Sequence, residues 1–153
     1  MASVAIRNST RRPAPRVPFA KVAGEVLPGW DISLIFVGEK RARDLNERLR
    51  GKTYVPNVLS YEVGMKSGEI IICLTEAERQ APHFLLPASL FVLFLFIHAL
   101  LHLKGRVHGA TMEQSERALL AKFSKGVVRT YPNVPSHSNR NRYRHVPGEA
   151  GRR

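Results

Sequence analysis

Apolar and polar positions alternate along several stretches of the chain. In residues 30–37, Ile32, Leu34 and Phe36 share one side and Ile35 and Val37 the other, which predicts a strand. Residues 58–63 and 69–74 predict two more strands, and the glycine-bounded segment 64–68 between them makes an antiparallel hairpin. A weaker alternation over residues 3–7, with Val4 and Ile6 on one side, predicts a short first strand. Elsewhere the pattern takes the helical period of about 3.6 residues. Residues 19–27 predict a short amphipathic helix closed by Pro28-Gly29. Residues 39–50 predict a second helix, with Ala42, Leu45 and Leu49 inward and Gly51 ending it. Thr75-Glu-Ala-Glu78 and Thr111-Met-Glu-Gln114 each have the form of a capping box, so a helix is expected to open at each, the last running to about Phe123. Pro82 and Pro87 interrupt the first of these, and a strongly apolar helix follows Pro87.

The order β-α-β-α-β-β-α-α-α predicts an α+β fold. It is expected to be a single domain over residues 1–125, with a mixed four-stranded sheet covered by about five helices. Its central apolar helix carries two of three clustered histidines. Residues 126–153 are expected to form a flexible basic tail: from His137 onward there are five arginines against one glutamate and no periodic apolar face.

Two features of this pattern bear on location. Residues 81–103 contain no Lys, Arg, Asp or Glu, and a bilayer span needs about 20 mainly apolar residues. Against a span stand the two prolines, the histidines within the run, and the absence of flanking Trp or Tyr anchors. The half-buried strands also need a covering helix, so a core helix without a membrane span is the expectation. No apolar h-region follows Met1, so no secretory signal is expected, and the location expected is cytoplasmic. The Arg- and Ser-containing start has some likeness to an organelle transit peptide, but a basic first strand explains it equally well.

Composition narrows the chemistry. The 153 residues are 44% hydrophobic, enough for a folded core. Lys and Arg number 24 against 12 Asp and Glu, a net charge of +12, which points to a polyanionic partner, nucleic acid before an acidic membrane. Arg7, Arg11, Arg12 and Arg16 precede the fold, and Arg140, Arg142, Arg144, Arg152 and Arg153 follow it with Tyr143 interleaved. Such residues supply salt-sensitive contacts to phosphates without reading sequence. A single cysteine, Cys73, excludes an internal disulfide and a thiolate metal site.

Histidine is then the remaining cluster of soft ligands. His98 and His102 are four residues apart and stack on one helix face. Gly105 lies where a helix end favours positive φ, so the chain can turn back and bring His108 toward the same point. Three neutral imidazoles at one point describe a metal site with an open position, the catalytic rather than the structural pattern for zinc. A lone histidine near an apolar face is more often a hydrogen-bonded core residue; the third one at short reach is what favours a ligand set. The motif is not that of the H-E-x-x-H metalloproteases, because the position of their general base is Ala99. Glu113 is the nearest downstream candidate acid or base, although an acid in the first turn of a helix is also favoured by the dipole alone. Arg50 ends a helix before a loop, where its planar fork can hold a phosphate oxygen or merely cap the helix, and Lys52 can add a phosphate contact.

Four segments in order resemble the YbeY family of metal-dependent endoribonucleases of rRNA maturation. They are Ile32-Ser-Leu-Ile-Phe-Val37 followed by Leu45-Asn46, Arg50-Gly-Lys52 followed by Asn57-Val-Leu-Ser-Tyr61, Gly68-Glu69-Ile70, and the H-x3-H-x5-H run from His98 to His108. The resemblance covers Asp31 to about Phe123. It implies that His98, His102 and His108 bind one Zn(2+) per chain, and that Arg50 is catalytic, with Glu113 following the last ligand. It implies a single-strand-specific endoribonuclease acting on rRNA, especially in late 16S rRNA 3'-end maturation and ribosome quality control. The expected partners are rRNA and the ribosomal small subunit with its proteins. Lys52, Arg11, Arg12 and Arg16 are the expected RNA contacts. Two positions depart from the family pattern. Val107 stands where an Asp is usual before the third histidine, and Val55-Pro56 where Pro-Thr is usual. The first change removes a candidate hydrogen bond to the site, and the second stiffens a loop beside it. The alternative is a non-catalytic ribosome-assembly or RNA-binding factor whose metal is structural.

Overall fold

The computed structural model describes residues 1–125; the expected basic tail lies outside the described residues. The elements follow the order β1 (Ser3–Asn8), α1 (Phe19–Val26), β2 (Asp31–Val37), α2 (Glu39–Arg50), β3 (Val58–Gly64), β4 (Ser67–Cys73), α3 (Leu74–Gln80), a 3-10 turn at Ala81–Phe84, α4 (Ala88–Leu103) and α5 (Ala110–Ser124). This is an α+β fold on a mixed four-stranded sheet.

The strand order is β1-β2-β4-β3. β1 and β4 both run parallel to β2, while β3 pairs antiparallel with β4. A parallel step from β2 to β4 needs a crossover, and α2 together with β3 provides it. The register sets Ile32, Leu34 and Phe36 beside Gly68, Ile70 and Ile72 on one face. That face takes α1 and α4: the Phe19 ring lies 6.0 Å from Phe36 and 4.9 Å, edge-on, from Phe96. Every residue from Leu90 to Leu101 is buried, so α4 is apolar on all sides because it has packing partners on all sides.

Gly68 explains how α4 gets so close. A Cβ there would lie 2.8 Å from Leu103 Cδ1, so the last turn of α4 rests directly on bare backbone of β4. Among the described residues, no single helix is long and apolar enough to cross a membrane, and the α3 and α4 segments meet at a bend of 101°.

Several local expectations are corrected. Neither capping box forms. α3 begins one residue early at Leu74, straight out of β4, and the Thr75 hydroxyl lies 3.4 Å from Cys73 Sγ without capping the helix. α5 likewise begins at Ala110, after an extended Gly109 and with no side-chain cap. Leu49 is 45% exposed rather than inward; the buried residues of α2 are Ala42 and Asn46. The helix phase gives the inner row to Asn46, whose Nδ2 donates to the Tyr54 carbonyl at 2.9 Å and holds the loop that follows.

Candidate metal centre

α4 places its two histidines one turn apart at its C-terminal end, His98 buried and His102 half-buried. A paired hydrogen-bond closure ends the helix: Gly105 N–H donates to the His102 carbonyl and Arg106 N–H to the Leu101 carbonyl. Gly105 takes φ +94° in this closure, a conformation that favours glycine. The chain reverses there, and His108 arrives on the exposed loop before α5.

The three rings converge. Ring centroids are 4.6 Å apart for His98 and His102, 4.7 Å for His102 and His108, and 5.0 Å for His98 and His108. One ring nitrogen from each lies within 4.8 Å of the others. The Nε2 atoms of His98 and His102 are 3.1 Å apart. On the far side of its ring, His98 Nδ1 lies 2.9 Å from Glu116 Oε2, and both residues are almost wholly buried. The His102 pKa is pushed down to about 3, chiefly by burial, then by His98 and His108; a hydrogen bond to the Arg106 backbone acts weakly the other way. His102 is therefore a neutral imidazole with a lone pair to give. Two facing Nε2 atoms so close, one on a ring already pledged to a carboxylate, suit a shared cation. The donor set thus fits a metal ion.

A groove of about 210 Å³ reaches the cluster at His102 and is lined by Ser60, Tyr61 and Glu62 of β3, by Leu103 and by the 105–107 bend. Tyr61 keeps its proton, its pKa pushed up to about 12 by burial and then by its hydrogen bond to Glu69.

The other expected residues are placed as follows. Arg50 is half-buried at the end of α2, and its Nη1 donates to the Tyr54 hydroxyl at 3.3 Å. Gly51 follows with φ +68°, so the helix stops there and the loop bearing Lys52 begins. Glu113 is half-buried in the first turn of α5. Arg11, Arg12 and Arg16 are exposed on the loop after β1, where Arg12 pairs with Glu78 of α3. Val107 is 75% exposed at the bend, while Val55 is half-buried and Pro56 buried.

Glu116 was missed by the sequence reading. A signal for it existed: Met112, Glu116 and Leu120 are the buried residues of α5, spaced by four, so an acid sits in an otherwise apolar inward stripe. An acid there needs a buried partner, and His98 is that partner.

The family model described as Endoribonuclease YbeY matches residues 16–127. An Endoribonuclease YbeY of Thiobacillus denitrificans is 33% identical over 103 residues, which is 61% of this chain and 70% of the relative. One from Syntrophus aciditrophicus is 33% identical over 87 residues, 51% of this chain and 54% of the relative. The aligned stretch thus spans from about half to about three quarters of the curated relatives' lengths. The solution structure of TM1509 from Thermotoga maritima is similar in fold, with a TM-score of 0.64 at 21% identity, covering 89% of this chain and 98% of that one.

Proposed function

This chain belongs to the YbeY endoribonuclease family, and from that premise we propose that it is a metal-dependent endoribonuclease cutting single-stranded RNA. The observation that carries the reading is the convergence of His98, His102 and His108 within 4.8 Å beside an open groove. These three side chains would hold one Zn(2+) per chain. The ion would supply positive charge against the phosphodiester and lower the pKa of a water molecule toward about 7. The remaining chemistry falls to the protein. His98 keeps its ring orientation through Glu116, and half-buried His102 stays neutral, so its lone pair is available at physiological pH. Arg50 holds phosphate oxygens with its planar fork and offsets the charge that develops there. Glu113 moves the proton as acid or base. Lys52, Arg11 and Arg16 add contacts to the RNA backbone, and Arg12 joins them if its pair with Glu78 opens.

The substrate proposed is rRNA, at late 16S rRNA 3'-end maturation and in ribosome quality control, in the cytoplasm and in contact with the ribosomal small subunit. The test is metal analysis together with cleavage of single-stranded RNA for the natural protein, His102→Ala and Arg50→Ala. His102→Ala is expected to lose metal and cleavage; Arg50→Ala is expected to keep metal and lose cleavage by at least about 100-fold. Metal bound at the histidines with RNA binding but no cleavage in the natural protein would favour the assembly-factor alternative.

A further inference from the structure

α5 contributes more to the centre than a floor. Its inward stripe carries Glu116, whose Oε2 meets His98 Nδ1 at 2.9 Å in a region where the carboxylate is 3% exposed and the imidazole 1%. A carboxylate only accepts hydrogen bonds, so the ring hydrogen of His98 belongs on Nδ1. The lone pair of that tautomer is then on Nε2, the atom that meets His102 Nε2 at 3.1 Å. The opposite tautomer fails twice. It would set two acceptors against each other at Glu116, and it would place a hydrogen where a ligand lone pair is required.

We propose that Glu116 is a positioning residue: it fixes His98 as the Nδ1–H tautomer, aims Nε2 at the cluster and so sets the affinity of the three histidines for a divalent cation. The proposal rests on the metal reading of His98, His102 and His108. Carboxylates outside the ligand set act on ligating histidines in this way, and removing one costs about 10–100-fold in metal affinity. The placement also gives α5 a role that its exposed contacts do not. The Lys122–Glu25 pair with α1 is at the surface and contributes little, whereas a buried carboxylate on a buried imidazole fixes the helix in both rotation and height.

The test has two independent readouts. The first is nitrogen NMR of the imidazoles in the metal-free natural protein. His98 is expected to carry its hydrogen on Nδ1 and none on Nε2; a hydrogen on Nε2 would overturn the proposal whatever the metal does. The second is Zn(2+) titration of the natural protein, Glu116→Gln and Glu116→Leu. Gln keeps an acceptor but can also flip to donate, and Leu removes the acceptor. The expected order of affinity is natural protein, then Gln, then Leu, with the last weaker by about 10–100-fold. Equal affinities across the folded proteins would overturn the proposal, and would leave a merely structural role that lowers the melting temperature without changing Zn(2+) affinity. If Glu116→Leu does not fold, the near-isosteric Glu116→Gln carries the comparison. If the natural protein binds no Zn(2+), the reading of the centre fails, and the tautomer measurement still decides the role of Glu116.

Discussion

His98 and His108 face each other with ring centroids 5.0 Å apart, yet one is buried inside α4 and the other is exposed on the bend after it. His98 is placed by the core. Phe94 lies one turn before it, with ring centroids 6.1 Å apart, Glu116 closes on it from α5, and its side chain is almost wholly buried in the close-packed interior. His108 lies on an exposed loop that the closure at Gly105 and Arg106 turns back toward the end of the helix. The proposed ligand set thus combines a preorganised anchor in the core with a second histidine on an exposed bend. Rigid elements give precision, and an exposed bend gives access to substrate.

The sharpest way to break the comparison is to remove each histidine in turn. His98→Ala is expected to abolish metal binding and to destabilise the metal-free protein by about 3–5 kcal/mol, because Glu116 is left buried without its partner. His108→Ala is expected to lose metal as well, but to shift metal-free stability by less than about 0.5 kcal/mol, as other exposed changes do. Metal analysis and urea midpoints of the two variants check this. Similar midpoints would mean that the buried pair is not what holds the anchor.

Next in size is Gly68→Ala. The added methyl would lie 2.8 Å from Leu103 Cδ1, next to His102, and overpacking of this kind costs about 1–3 kcal/mol. The urea midpoint is expected to fall and metal affinity with it. An unchanged midpoint would show that Leu103 relaxes without moving the turn that carries His102.

A third test concerns pH. His102 lies between the two extremes, half-buried, with its pKa at about 3 in the folded protein against an ordinary 6.5. Between those two values the unfolded chain binds more protons than the folded one. The contribution of His102 to metal-free stability is therefore fully present above pH 6.5 and is lost as the pH falls toward 3. Urea midpoints across that window are expected to rise with pH, and His102→Gln is expected to flatten part of the slope. An unaltered slope would place the titration on other groups.

Much of this was legible in the chain, for reasons that can be named. α2 was expected at residues 39–50 and lies at Glu39–Arg50, because a charged helix closed by glycine is a local matter. The hairpin strands and the core helix after Pro87 were legible for the same kind of reason. The three histidines were legible because a four-residue helical spacing and a glycine-ended turn both act within a few residues. The capping boxes failed because α3 grows directly out of β4 and α5 follows an extended glycine, so the chain's direction rather than a side chain starts each helix. Leu49 failed because propensity fixes a helix but not its rotation against the sheet, and the inner row went to Asn46.

By itself the sequence determined the elements, the histidine spacing and the glycine that turns the chain back, since each depends on neighbours a few residues away. Only the tertiary structure decided that β2 lies between β1 and β4, that Gly68 admits the end of α4, and that Glu116, 18 residues beyond His98, closes on it. Those contacts join distant parts of the chain, and packing selects them because a buried charge must find its partner and a buried helix its groove.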